Sequence, residues 1–475
     1  MRSPRRCLFL WAVVACVCGA ACRADGEPGA AAGSGAAGDA GLVKPDAAVG
    51  GAGASGSGGM PAPHDAGGAH ADAGWDAGAD DDDAGKALRP LLAASGAQLL
   101  VQGQRLGLQL TAANLADDAD VYAVHQEFYG IPWAAFEQDS APPAEWRALL
   151  DELAAAAKTK QRPVFLSISM LNGARERLAA TTRIEDGQVK TDDDSSAPCY
   201  DFATASDSAT KQQAYLRYVD YMVDHFDPKY LNIAIEVNLF FEKCPTATAG
   251  LITVINAVYD HVKAQHPDVV VFPSFQIDHL YGYSDDTCPG TMSRAACFER
   301  AYTQIKGIRR DRFAMSSYPF LNKLGTAATI PADWFERGAK RAGERPLIAE
   351  TGWPSTPLVA RNGSACLTVF SFSEADSAAY LKRVLEDATR LHMDLVTWWS
   401  DRDLVTTPLM TDCPCQFDQT WCTVLDIFRG AEQPNMPEAQ FYGEVLLKAF
   451  GSMGLRKYDG TPKTEHMKLW NDAKN

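Results

Sequence analysis

The chain has 475 residues, a formal charge of −16 at pH 7 and 46% hydrophobic residues, enough apolar material for one or two domains. The acidic excess disfavours nucleic acid and anionic membrane surfaces as partners, because both would repel it. No G-x-x-x-x-G-K-[ST] loop, strand-borne G-x-G-x-x-G, H-E-x-x-H or G-x-S-x-G occurs, which removes several common nucleotide-dependent, zinc-dependent and serine-hydrolase designs.

Residues 1–22 read as an export signal: "MRSPRR" is cationic, "CLFLWAVVACVCGA" is apolar, and small residues precede Cys22. The apolar run is too short for a membrane span. A small-residue run ending in Cys resembles a bacterial lipobox, which implies Cys22 as the acylated first residue of the mature chain. Gly19 departs from the Leu-like residue usual there, "VVAC" ending at Cys16 is an alternative, and plain cleaved secretion is the other reading. Residues 23–87, with "GAAAGSGAAGDAG" and "DAGADDDDAG", have no periodic apolar face and read as a disordered tether. The expected location is outside the cytoplasm, either secreted or held to a bacterial membrane by the lipid alone.

Eight cysteines follow the signal: Cys199, Cys244, Cys288, Cys297, Cys366, Cys413, Cys415 and Cys422. An even number in an exported chain predicts disulfides, with Cys288 and Cys297 a pair suggested by proximity in sequence. The C-P-C-x6-C spacing at 413–422 has no neighbouring His, so local disulfides are preferred there to a metal knuckle. Neither a metal nor a cofactor is expected.

From residue 88 onward, short apolar runs alternate with helical patterns. The strand candidates are 105–110, 121–126, 163–169, 231–238, 268–275, 311–318, 345–350 and 394–400. Continuous apolarity suits a parallel sheet covered on both faces. Between them, "PPAEWRALLDELAAAAKTK" places Trp146, Leu149, Leu150 and Leu153 on one helical face. "KQQAYLRYVDYMVDHF" does so with Leu216, Tyr218, Val219 and Met222, and "GLITVINAVYDHVKAQ" with Leu251, Val254, Ile255 and Val258. Eight strands alternating with helices predict an α/β (β/α)8 TIM barrel over 88–475, with a doubly wound sheet as the alternative.

A barrel of this kind works at the C-terminal ends of its strands, so polar residues that close apolar runs are informative. Glu236 closes "YLNIAIE", the fourth candidate, and Glu350 closes "RPLIAE", the seventh. Burying two carboxylates near one another needs a reason. Glycoside hydrolysis supplies one, with one carboxylate attacking the anomeric carbon and the other protonating the departing oxygen.

"IAETGWPS" resembles the nucleophile strand of clan A glycoside hydrolases, especially the endo-β-1,4-galactanases of family 53 and the β-1,3-glucanases of family 17. "IAIEVN", "FAMSSYPF" and "GLRKYDGTPKTEHMKLW" are similar to the acid/base strand, the sixth-strand segment and the last helix region of such barrels, over residues 120–475. The resemblance implies Glu350 as nucleophile, Glu236 as acid/base, Tyr318 as the hydroxyl on the nucleophile, and Trp398 as the sugar platform with Trp399 as its alternative. Trp353 would help to wall the site. One departure stands out: the residue before the acid/base is usually an Asn that bonds the sugar 2-hydroxyl, and here it is Ile235. Asn238, Asn172 or Gln126 would have to replace that contact. His125, Glu127, Asp278 and His279 are further candidates for substrate contacts. The expected activity is retaining endo-hydrolysis of a polysaccharide or oligosaccharide by a monomer. The alternatives are a carbohydrate-binding lipoprotein on a degenerate barrel and a surface protein that uses its barrel for protein contacts.

Overall fold

The computed structural model describes residues 89–475, apart from 96–99, 102–103, 106–116, 127–128, 160, 193–195, 284–287, 289, 323, 363–364 and 404–448. The signal with Cys22, the 23–87 tether, Glu127 and the 413–422 cysteines lie outside the described residues.

Nine parallel strand segments form one sheet: β1 (Leu91–Ser95), β2 (Val121–His125), β3 (Val164–Ser167), β4 (Pro228–Asn232), β5 (Val270–Phe272), β6 (Ser274–Gln276), β7 (Phe313–Ser317), β8 (Pro346–Thr351) and β9 (Leu395–Trp398). Their order is β6-β7-β8-β9-β1-β2-β3-β4-β5. The two ends of that order, β5 and β6, are one run interrupted at Pro273, which has no N–H to give a ladder. The sheet therefore closes on itself as a (β/α)8 barrel, with β5 and β6 sharing one stave.

Seven of the eight strand candidates fall on staves. The first does not, since Gln104–Arg105 pairs antiparallel with Leu100–Val101 and 106–110 lie outside the described residues. The first stave is β1, an earlier and Ala-rich run that pairs Leu91 with Leu395 of β9 and Ala93 with Val121 of β2. Small residues gave it little apolar signal. The fourth stave is also shorter than its candidate, ending at Asn232 and leaving Glu236 in the turn beyond.

Side-chain alternation divides the core into two layers. Ala93, Val121, Ala123, Phe165, Tyr230, Phe272, Ala314, Leu347, Ala349 and Leu395 fill the barrel. Leu92, Val124, Leu166, Leu231, Val271, Met315, Ile348 and Val396 face the helices. Among these helices are α1 (Ala144–Thr159), α2 (Ser208–Phe226), α3 (Asn238–Lys243), α4 (Thr248–Gln265), α5 (Arg294–Ile305), α6 (Glu374–Arg390) and α7 (Thr464–Lys474). The predicted faces of α1 and α4 are buried as expected. In α2 the face turns slightly: Tyr215 joins Tyr218, Val219 and Met222, and Leu216 is only half-buried. Ser373 caps α6 and exchanges hydrogen bonds with Asp376 in a capping box. Cys288 and Cys297 are bonded, and a second disulfide joins Cys199 to Cys244.

Where α7 returns to the barrel, Asp401 is fully buried beside Asp118, which Arg456 holds through Nη2 at 2.8 Å. Burial, reinforced by the Asp118 charge, pushes the Asp401 carboxyl up to about 8. An unfolded Asp titrates near ~3.9, so between those values the folded chain holds a proton that the unfolded chain has released. Its contribution to stability is complete below the unfolded value, falls with rising pH and is gone above about 8. Asp403 and Asp278, each pushed up to about 6 chiefly by burial, act in the same direction lower in the range. Asp401→Asn is therefore expected to flatten the decline in unfolding free energy between pH 7 and 8, by up to about 1.4 kcal/mol per unit. Denaturant melts at both pH values test this, and an unchanged slope would contradict it.

Candidate active site at the C-terminal mouth of the barrel

Glu350 is aimed by an irregularity in β8. The ladder with β7 runs in step to Met315 and Ile348, then pairs Ser316 with Glu350, so Ala349 and Glu350 both stand opposite one residue. Such a bulge re-aims a side chain at a strand end. The Tyr318 hydroxyl donates to Glu350 Oε1. Burial first, and the Glu350 charge second, push the Tyr318 phenol well above its ordinary value, so it stays a proton donor at any physiological pH. His125, at the end of β2, has Nε2 3.7 Å from Glu350 Oε2, too far for a hydrogen bond. Burial and the Arg175 charge hold it down to about 4, leaving a neutral imidazole near neutral pH. Tyr318→Phe removes the donor to Glu350 and is expected to lower kcat by roughly 10- to 100-fold, the value of one hydrogen bond to a charged group. Steady-state kinetics check this, and a change below about threefold would separate Tyr318 from the chemistry.

Glu236 lies in the turn between β4 and α3, at a left-handed φ of 48°. The Ser316 hydroxyl donates to its Oε1 at 2.7 Å, its own N–H donates to Ser274 Oγ at 3.0 Å, and Arg175 Nη2 stands 3.4 Å from its Oε2. Below it, Asn232 donates from Nδ2 to Ser167 Oγ and Ser274 Oγ, both at 3.0 Å. Ser316 thus ties the two carboxylates together. Its hydroxyl holds Glu236, and its backbone is the ladder neighbour of Glu350, about 4.8 Å away in a sheet. Both charges also act on the Tyr318 phenol.

Trp398, the last residue of β9, and Trp399 just beyond it face opposite ways, and the assignment of Trp398 as platform is corrected. Trp398 is 0% exposed and donates from its indole to the Met453 carbonyl at 2.7 Å, a core position. Trp399, joined to Ser400 by a cis peptide, meets His125 edge-on at 5.5 Å, and His125 is the residue that borders Glu350. Trp353 is likewise 0% exposed, packed among Phe320, Phe372 and Tyr380, and walls no cleft. The indole seen beside the carboxylate in "ETGWPS" faces the core.

Several polar candidates are already committed. Asn238 clamps Gln276, donating to its carbonyl at 3.0 Å and accepting from its N–H at 2.8 Å. Asn172 Oδ1 accepts from the N–H groups of Glu176 and Arg177 at 3.1 and 3.2 Å. Asp278 is buried and accepts from the Ser317 hydroxyl, the Tyr318 N–H and the Asn322 amide, so it fixes the turn that carries Tyr318. His279 Nδ1 is 2.9 Å from Glu242 Oε2. Burial opposes charge on His279, but the Glu242 hydrogen bond and the carboxylates of Glu242, Asp278 and Glu236 raise it overall. Gln126 differs: it is buried at the end of β2, and neither side-chain amide atom has a hydrogen-bond partner among the described residues. Ile235, also buried, provides no polar group. Arg175 and Ser316 were missed: Arg175 closes no apolar run, and Ser316, which follows Phe313–Met315 inside "FAMSSYPF", was passed over for Tyr318.

No protein-family model matches the chain, and no curated protein matches it. Among solved structures it is similar to GH5_18 from Streptomyces cattleya in complex with GlcNAc, at 14% identity over 82% of this chain and 80% of that one, with a TM-score of 0.49. It is also similar to an exo-β-1,4-mannosidase from Opitutaceae bacterium strain TAV5, at 13% identity over 82% and 59% with a TM-score of 0.46. A β-glycosidase gives 12% identity over 81% and 95%, with a TM-score of 0.45. None of these three is named as a family 53 or family 17 enzyme, and at such values the likeness decides nothing about substrate.

Proposed function

We propose that this chain is a retaining glycoside hydrolase. The observation that carries the reading is the pair Glu236 and Glu350, presented from the turn after the fourth stave and from the seventh stave onto Ser316 and Tyr318 at the end of β7. Glu350, its charge supported by the Tyr318 hydroxyl and bordered by a neutral His125, attacks the anomeric carbon. Glu236 protonates the leaving oxygen. In the second half Glu236 takes a proton from water, which attacks the same carbon and releases Glu350, so two inversions give net retention.

An aromatic ring near the nucleophile suits the C–H face of a sugar, and we assign that role to Trp399, which meets the His125 that borders Glu350. Gln126 takes the role of the amide that Ile235 displaced, because its side chain alone among the three proposed substitutes has no partner among the described residues. The substrate we favour is a polysaccharide cut internally, which includes the galactans and β-1,3-glucans suggested by sequence resemblance. Export and anchoring through Cys22 belong to the same proposal. Cys22→Ala would move the chain from the membrane fraction to the soluble one; unchanged fractionation would remove the anchor.

The deciding experiment is a panel of galactan, arabinogalactan, β-1,3-glucan, mannan and xylan, read by release of reducing ends. Release from one glycan establishes class and substrate together. Ile235 favours a second reading, a carbohydrate-binding protein without turnover. That reading gains if a glycan binds and no reducing ends appear over long incubation.

A further inference from the structure

The surroundings of Glu236 depend on Arg175, which lies outside the pattern of strand-end residues. The loop after β3 closes on itself: Leu171 and Leu178 form an isolated bridge, and the Asn172 N–H donates to the Arg177 carbonyl at 3.0 Å. Arg175 stands within this closed loop, 2% exposed, donating from Nη1 to the Asn172 carbonyl at 2.9 Å and facing Glu236 through Nη2. The loop is fastened to α3, the helix that begins just after Glu236. Lys243 Nζ donates to the Ala174 carbonyl at 2.6 Å, and the Cys199 N–H donates to the Glu176 carbonyl at 2.6 Å. Cys199 is bonded to Cys244 at the end of α3. Arg175, Cys199 and Glu236 all have left-handed backbones, with φ of 53°, 55° and 48°. Residues with a Cβ adopt that conformation at a cost, and keep it where their surroundings enforce it.

We propose that Arg175 is a positioning residue for the Glu236 carboxylate, and that the Cys199–Cys244 bond holds it in place, so that activity depends on the redox state of that bond. This rests on the retaining-glycosidase reading. A proton donor must point at the glycosidic oxygen, and Ser316 holds one oxygen of Glu236 while Arg175 faces the other. Without the disulfide, the segment at Cys199, which bonds the Arg175 loop at the Glu176 carbonyl, loses its covalent tie to the helix that follows the carboxylate. A phosphine supplies the reductant: the S–S bond takes two electrons and two protons to give two thiols, and the phosphine becomes its oxide.

The test compares phenyl with 2,4-dinitrophenyl β-glycosides of galactose, glucose, mannose and their β-linked disaccharides. A phenolate is a poor leaving group that needs the proton, whereas dinitrophenolate departs without it. Arg175→Ala is expected to lower kcat/KM on the phenyl glycoside by about 100-fold, the cost of a misplaced catalytic group, and on the dinitrophenyl glycoside only a few-fold. Arg175→Lys should recover part of the loss as a single-point donor. The Cys199→Ser, Cys244→Ser double variant, or the native protein treated with the phosphine TCEP if that variant does not fold, should reproduce the selective loss. Cys288→Ser with Cys297→Ser should not. Equal losses on both leaving groups, or no loss, overturn the positioning role and leave the glycosidase reading intact. Absence of hydrolysis of every probe and of every glycan in the panel by the unaltered chain overturns both.

Discussion

Glu350→Gln is expected to remove turnover on any glycan the unaltered chain cleaves, by on the order of 10⁴- to 10⁶-fold, the scale seen when a bond-forming nucleophile is lost. The amide has nearly the shape of the carboxylate and still accepts from the Tyr318 hydroxyl, so the bulge of β8 and the ladder to Ser316 are retained. What it lacks is the charge that attacks the anomeric carbon and the ability to leave it again. Binding should persist, since in the proposed function Trp399 contributes to holding the sugar independently of the Glu350 charge. The measurement is reducing-end release in parallel with a binding isotherm on the same glycan. Activity within tenfold of the unaltered chain would show that no bond forms to this residue.

The carboxylate pair was legible because each ends a continuous apolar run, a pattern that places a charge where a barrel strand meets its mouth. What surrounds the pair was much less so. Trp398 and Trp399 are equivalent in composition, and only the face that β9 turns toward the Met453 carbonyl separates core from site. Asp278 has the same sequence signature as a substrate contact, yet its oxygens are taken by Ser317, Tyr318 and Asn322, none of which is local to it in sequence. Arg175 sits in "NGARER", a loop without periodicity, and acquires meaning only through a disulfide whose pairing spacing did not reveal. The first strand was lost for a simpler reason. "LLAAS" is carried by alanines, which pack against Val121 and Leu395 but leave little trace in a hydrophobicity pattern.

The second large effect concerns Glu236, and it has a distinctive form. Glu236→Ala is expected to lower kcat/KM on a phenyl glycoside by about 10²- to 10⁴-fold, the range of a lost general acid, while a 2,4-dinitrophenyl glycoside enters the first step almost unimpaired. The second step then has no base, so the glycosyl-enzyme on Glu350 accumulates and dinitrophenolate appears as a burst of one equivalent before a slow phase. Azide, small and needing no base, should enter the space left by the carboxylate, accelerate the slow phase and give the β-glycosyl azide, because it attacks an α-linked intermediate from the face water uses. Ser316 and Arg175 line that space, and their donors face the incoming anion. An α-glycosyl azide would mean a single displacement, and the roles assigned to the two carboxylates would fall. Equal loss on both leaving groups with no response to azide would show instead that Glu236 holds the mouth of the barrel together without passing a proton.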